Sequence, residues 1–244
     1  MQQSIENRAV AVYCASSTGK QKAFEQAAIS VGHALGKAGR PLVYGGGRKG
    51  IMGVVSGAVL EADGQVTGVL PAAMIASGGE KEAVRSAAQA KAAAAALCDG
   101  LNRENIVVDS MHERKFEMAK RSCGFICLPG GYGTFEELLE VTTWSQLGIH
   151  SKPAIVVNVL GYYDPLRQLI RNGVREGFIA ARNEKLVLFV DGPESYADHE
   201  AFDWGKAALD TLDGWQAGNY EVYYDWTKRK GADDKSKDGE MNAA

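Results

Sequence analysis

Two carboxylates, Glu136 and Glu137, follow directly on "PGGYGT" (129–134), a stretch in which Gly130, Gly131 and Gly133 leave the backbone bare. Glycines at a turn that opens a helix let backbone N–H groups approach an anion closely, and the helix dipole there favours phosphate. A carboxylate one turn further on reaches whatever the phosphate is attached to, where it can stabilise positive charge or accept a proton from water. A second charged run, "MHERK" (111–115), supplies Arg114 and Lys115 in the first turn of another expected helix. Cations there oppose the dipole by roughly 0.3–1 kcal/mol, a placement that an anionic ligand offsets.

The same spacings have structural readings. Thr134 and Glu137 are spaced as a capping box, as are Ser110 and Glu113, and a capping hydroxyl is worth about 0.5–2 kcal/mol. Glu136 and Glu140 fit a solvated face whose opposite stripe is Phe135, Leu138, Leu139 and Thr142, and Arg114 with Glu117 fits an exposed i,i+3 pair. Spacing alone leaves both readings open. His33, His112, His150 and His199 are scattered without metal-ligand spacing, so no metal is expected. Ser16 and Ser17 lack a GxSxG elbow and read as hydrogen-bond donors to a ligand. Neither GxGxxG nor a Walker loop occurs in the Gly-rich loops, which disfavours dinucleotides and ATP hydrolysis and leaves a mononucleotide.

The elements that must position these residues alternate along the chain. Apolar runs at 9–15, 41–46, 65–70, 105–110, 123–130, 152–159 and 186–192 read as buried parallel strands. Helices are expected at about 21–38, 51–63, 111–121, 134–147 and 164–176. The alternation predicts an α/β fold, a Rossmann-like, doubly wound, mostly parallel sheet flanked by helices, with its ligand at the carboxyl ends of the strands. Three Gly-rich turns fall there, bringing Ser17 of "CASSTG" and Gly45 and Gly46 of "YGGGRKG" beside the "PGGYGT" loop. One domain is expected over 1–227. It carries an Ala-rich insertion at about 76–104, which favours helix but offers little core volume, and a charged tail, 228–244, expected to be disordered.

A chain of 244 residues, 45% hydrophobic and 23% charged, suits a sizeable core, and a net charge of −3 offers no field for nucleic acid or an anionic membrane. Anion binding must then be local. The four cysteines, Cys14, Cys98, Cys123 and Cys127, lack CxxC spacing and fit a reducing compartment. With no basic leader before a long apolar core and no run near the roughly 20 residues that span a bilayer, the expectation is a soluble, cytoplasmic protein. Trp144, Leu147 and Ile149 suggest an apolar surface for a homodimer.

The combination of "MHERK", "PGGYGTFEE" (129–137) and "TTWSQLGIHSKP" (142–153) resembles the LOG family, often mislabelled as lysine decarboxylases. The likeness extends to "CASS" (14–17), "LVYGGGRKGIMG" (42–53), "GYYDPL" (161–166) and "GFI" (177–179), covering roughly residues 8–190. It implies a cytokinin riboside 5'-monophosphate phosphoribohydrolase, which hydrolyses the N-glycosidic bond of N6-modified adenosine 5'-monophosphates, and of AMP, to free base and ribose 5-phosphate. Family members are cytosolic homodimers with a Rossmann-like fold and no metal or organic cofactor. The resemblance makes Arg114 and Glu137 the catalytic pair and Lys115, Gly131, Tyr132, Gly133, Thr134, Phe135, Glu136 and Thr143 substrate contacts. Ser17, Gly45, Gly46 and Gly130 complete the expected binding loops. The family's usual Gly in the first loop is Ala15 here, and its further substrate-contacting Glu has only Glu80 as a candidate equivalent. Two rivals stand beside this reading: a non-catalytic nucleotide sensor of the same fold, and a decarboxylase, which would need a Schiff-base lysine for pyridoxal phosphate.

Overall fold

Seven short runs, most of them rich in Val, Ile and Leu, pair side by side, the central ones burying both of their faces, and the computed structural model, which describes residues 8–78, 102–216, 224 and 226, shows them as one sheet. The strands are β1 (Val10–Tyr13), β2 (Leu42–Tyr44), β3 (Val66–Pro71), β4 (Arg103–Val108), β5 (Gly124–Cys127), β6 (Ala154–Asn158) and β7 (Val187–Asp191). Their order is β4-β3-β2-β1-β5-β6-β7 and every pair is parallel. The chain winds outward one way from β1 to β4, then returns to pair β5 with β1 and winds the other way. The loops after β1 and β5 therefore diverge, opening the crevice in which doubly wound sheets bind ligands.

Side chains alternate across the sheet. Val10 and Val12 enter one core layer and Ala11 and Tyr13 the other. The first layer is covered by α1 (Lys22–Lys37) and α2 (Gly50–Glu61), with Ala27, Ala28, Val31 and Leu35 on the inward stripe of α1. Burying a side chain as large as Leu35 contributes roughly 1.5–3 kcal/mol. A short helix, α3 (Ala72–Gly78), follows β3. The second layer is covered by α4 (Met111–Lys120) and α5 (Tyr132–Gln146) through Met118, Leu138 and Val141. Next comes α6 (Asp164–Arg175), which buries none of its residues.

The last helix, α7 (Trp204–Gly214), was not expected from the sequence. It packs on the first layer through fully buried Trp204 and Ala208 and through Leu212, and Asp203 caps it by accepting from the Lys206 amide at 3.0 Å. Most of the Ala-rich insertion, with Glu80 and Cys98, and the whole tail 228–244 lie outside the described residues. Among the described residues no helix is long and apolar enough to cross a membrane.

Candidate active site

The loop after β5 differs from its expected form in a way that decides what Glu137 does. Helix α5 starts at Tyr132, with Gly131 at its N-cap and no capping side chain, so Thr134 lies inside the first turn and the expected Thr134–Glu137 capping box is absent. The stripe that packs inward is Thr134, Glu137, Leu138 and Val141 rather than Phe135, Leu138, Leu139 and Thr142, so Leu139 turns outward. Glu137 is thus buried by the register of the helix. The Ser110–Glu113 box does form on α4: the Ser110 hydroxyl accepts from the Glu113 amide at 3.1 Å, and Glu113 accepts from the Asp109 amide at 2.7 Å.

Arg114 is not the exposed partner of Glu117, which pairs instead with Arg121 at 3.0 Å. Its guanidinium reaches across to Glu137, Nη2 to Oε1 at 3.7 Å, and each side chain is only 10% exposed. At 3.7 Å this is an ion pair without a direct hydrogen bond. Arg114 Nε finds no partner among the described residues, and Nη1 meets only the soft sulfurs of Met111 and Met74 at 3.7 and 3.9 Å. The guanidinium therefore keeps donors for a ligand.

A cavity of about 370 Å³ opens above this pair. One wall is the start of α5, with Gly131, Tyr132, Gly133, Thr134 and Glu136. Opposite it lie Cys14, Ala15, Ser16 and Ser17 from the loop after β1 and Gly45 from the loop after β2, while Met52, Met74 and Met111 supply an apolar side. A Cβ added at Gly131 or Gly133 would meet nothing within 4 Å, so the bareness of this stretch serves no protein contact and leaves room for a ligand. The N–H groups of Tyr132, Gly133 and Thr134, in the first turn of α5, have no intrahelical acceptors. The start of α2 differs, because its Ile51 and Met52 amides already donate to the carbonyls of Ser17 and Ala15, both at 3.2 Å. Of these two helix starts facing the crevice, α5 is the one with amides to offer an anion.

Burial governs the electrostatics. Desolvation pushes Glu137 up from 4.5 to about 7; Arg114 and Lys115 draw it down, and Glu136 and Glu140 push it up further. Burial also drives the Cys14 thiol upward, reinforced by Glu137, so this cavity-lining sulfur stays protonated and is a poor nucleophile.

Arg114, Glu137, Ser17, Gly45, Gly131, Tyr132, Gly133, Thr134 and Glu136 come together as expected around the cavity. Gly130 lines a smaller neighbouring cavity of about 230 Å³ together with Phe24, Ile51 and Tyr162. Four further expected contacts line neither cavity. Gly46, at φ +76°, is turned onto Leu70; Lys115 is held by Glu136 and Glu140; Phe135 packs against Tyr162 and Tyr163; and Thr143 is exposed, donating to the Leu139 carbonyl at 2.7 Å. The three methionines and Tyr162 were not singled out from the sequence. Lone methionines read as core, and although "GYYDPL" contains Tyr162, nothing in the sequence shows that its hydroxyl donates to the Gly130 carbonyl, over thirty residues away.

The family described as "Possible lysine decarboxylase" matches residues 52–199. Cytokinin riboside 5'-monophosphate phosphoribohydrolase LOG of Oryza sativa subsp. japonica is 42% identical over 181 residues, which cover 74% of this chain and 67% of the relative. Cytokinin riboside 5'-monophosphate phosphoribohydrolase LOG2 of Arabidopsis thaliana is 40% identical over 181 residues, covering 74% of this chain and 76% of the relative. Among solved structures, the molybdenum cofactor binding protein of Rippkaea orientalis shares the fold at a TM-score of 0.52 and 18% identity, over 84% of this chain and 99% of that one. The match of the family over more than half of the sequence, and of its named relatives over nearly three quarters, shows that the chain belongs to the LOG family.

Proposed function

We propose that the protein hydrolyses the N-glycosidic bond of N6-modified adenosine 5'-monophosphates, and of AMP, releasing the free base and ribose 5-phosphate. The observation that carries this reading is the buried Arg114–Glu137 pair, 3.7 Å apart, one helical turn beyond the unpaired amides of α5. The 5'-phosphate docks on the Tyr132, Gly133 and Thr134 amides, which brings the ribose over Glu137. As the C1'–N9 bond breaks, its electron pair leaves with the purine and the sugar acquires oxocarbenium character, which the ionised Glu137 carboxylate stabilises. Glu137 also takes a proton from the attacking water, whose oxygen bonds to C1'. Arg114 orients the nucleotide and stabilises negative charge on the departing base, which picks up a proton. The names of the relatives supply the substrate class.

A Schiff-base decarboxylase fits poorly. Among the described residues no lysine lines the cavity, and Lys115, the nearest by sequence, is committed to two carboxylates. The protein acts in this reading as a cytoplasmic homodimer: free thiols at Cys14, Cys123 and Cys127 suit a reducing compartment, and exposed Tyr132 and Leu139 on α5 offer apolar surface to a second copy. Light scattering on the purified protein tests the dimer. The activity is tested by incubating the protein with AMP, isopentenyladenosine monophosphate and isopentenyladenosine, then separating bases from nucleotides. Free base from both monophosphates and little from the riboside is expected; nucleotide binding without any base release would make the protein a sensor instead.

A further inference from the structure

Lys115 follows Arg114 in sequence yet does not line the cavity, since successive residues on a helix diverge by about 100°. Its side chain is 9% exposed, and Nζ donates to Glu136 Oε1 at 2.5 Å and to Glu140 Oε1 at 2.9 Å. Glu136 and Glu140 lie four apart on one face of α5, where like charges repel, and the ammonium placed between them reverses that repulsion. Burial alone would lower the Lys115 pKa, but its two carboxylate partners raise it, so the group is firmly charged. Among the described residues, these two contacts and the Arg114–Glu137 pair are the polar links between α4 and α5. One helix carries the catalytic cation and the other the catalytic carboxylate.

We propose that Lys115 is a positioning residue: with Glu136 and Glu140 it ties α4 to α5, fixing the separation and charge balance of the Arg114–Glu137 pair, and it does not bind the substrate phosphate. The inference rests on the phosphoribohydrolase reading and departs from the substrate contact that family resemblance assigns to Lys115. Its mechanism is local. Without the ammonium, two carboxylates on the same helix as Glu137 lose their counter-ion, and the helices lose two of their three polar links. The charged groups facing Glu137 are Arg114 and Lys115 from α4 and Glu136 and Glu140 from α5; Tyr13 from β1, Cys14 from the loop after it and Cys127 from β5 are held neutral by burial.

The test is a set of variants assayed on AMP across pH. Lys115→Met should lower kcat by about tenfold to a hundredfold, as expected for a displaced catalytic pair, with KM for AMP and inhibition by inorganic phosphate unchanged. Its acid limb of kcat should move to higher pH, whereas Glu140→Gln should move that limb to lower pH, two opposite shifts that a general loss of packing would not produce. Lys115→Arg, which keeps the charge, should recover most of kcat, and it carries the test together with Glu140→Gln if Lys115→Met does not fold. A raised KM and weakened phosphate inhibition in Lys115→Met, with kcat and the acid limb unmoved, would overturn the proposal in favour of a phosphate ligand. Unmoved acid limbs in Lys115→Met and Glu140→Gln alike would overturn it too. Carboxyl NMR of Glu137 reads the same opposite shifts without turnover. It therefore separates failure of this inference from failure of the activity itself, which would show as no base released by the unmodified protein.

Discussion

Gly45 faces Arg114 so closely that a Cβ on residue 45 would sit 1.9 Å from Arg114 Nη2. The second Gly-rich loop thus makes space for the guanidinium that meets Glu137. Gly45→Ala should displace Arg114 and lower kcat/KM for AMP by about a hundredfold, the scale of loss from a misplaced catalytic group. Circular dichroism should show an intact fold. Near-normal turnover in the folded variant would mean that Arg114 does not need this position.

Glu137→Gln should nearly abolish turnover yet stabilise the fold at neutral and alkaline pH. The folded-state pKa of Glu137 lies near 7 against an ordinary 4.5. Between those values the folded protein binds more protons than the unfolded chain, so its stability falls as pH rises through the window. The neutral amide escapes this cost, which reaches roughly 3 kcal/mol above pH 7. Denaturant melts should show the variant more stable than the parent at pH 8 and matching it below about pH 4.5. A variant equally destabilised at both pH values would show that Glu137 serves packing.

The rate of AMP hydrolysis should rise with pH through an acid limb near 7, since only ionised Glu137 can stabilise the sugar cation and take a proton from water. An enzyme already at full kcat at pH 5 would rule out a carboxylate with this pKa as the essential base.

Tyr162→Phe removes the hydroxyl that donates to the Gly130 carbonyl while keeping the ring that packs against Phe24 and Phe135. Losing one such bond costs about 0.5–1.5 kcal/mol. The loosened loop should raise KM for the monophosphate several-fold and leave kcat close to normal. A change in kcat alone would place Tyr162 in the chemistry instead.

Much of the scaffold is legible in the sequence because buried parallel strands must be continuously apolar and their turns rich in glycine. All seven strands fall where those runs lie, and the three loops expected at one crevice do meet there. Helix α7 is missed because it follows an irregular stretch with a 3-10 turn over Tyr196–Glu200. Two further departures are geometric. A start expected at Thr134 lets Glu137 read as a cap, whereas α5 begins at Tyr132 and buries it, and adjacency in "HERK" hides that Arg114 lines the cavity while Lys115 does not. Sequence spacing lists the residues on a helix but not its rotation about its axis, which is set by what packs beneath it: here Leu138 and Val141.

Because one rigid helix both presents the amides of Tyr132, Gly133 and Thr134 and carries Glu137, the span from anion to carboxylate is a constant of α-helical geometry, about 6 Å of rise over the four residues from Gly133. It cannot be adjusted by loop movement. If the 5'-phosphate docks on these amides as proposed, the site measures its substrate as a ruler does: an isomer with phosphate on the 2'- or 3'-oxygen can satisfy the amides only by carrying its anomeric carbon out of register with Glu137. On that proposal, regiochemistry is written into the pitch of the helix.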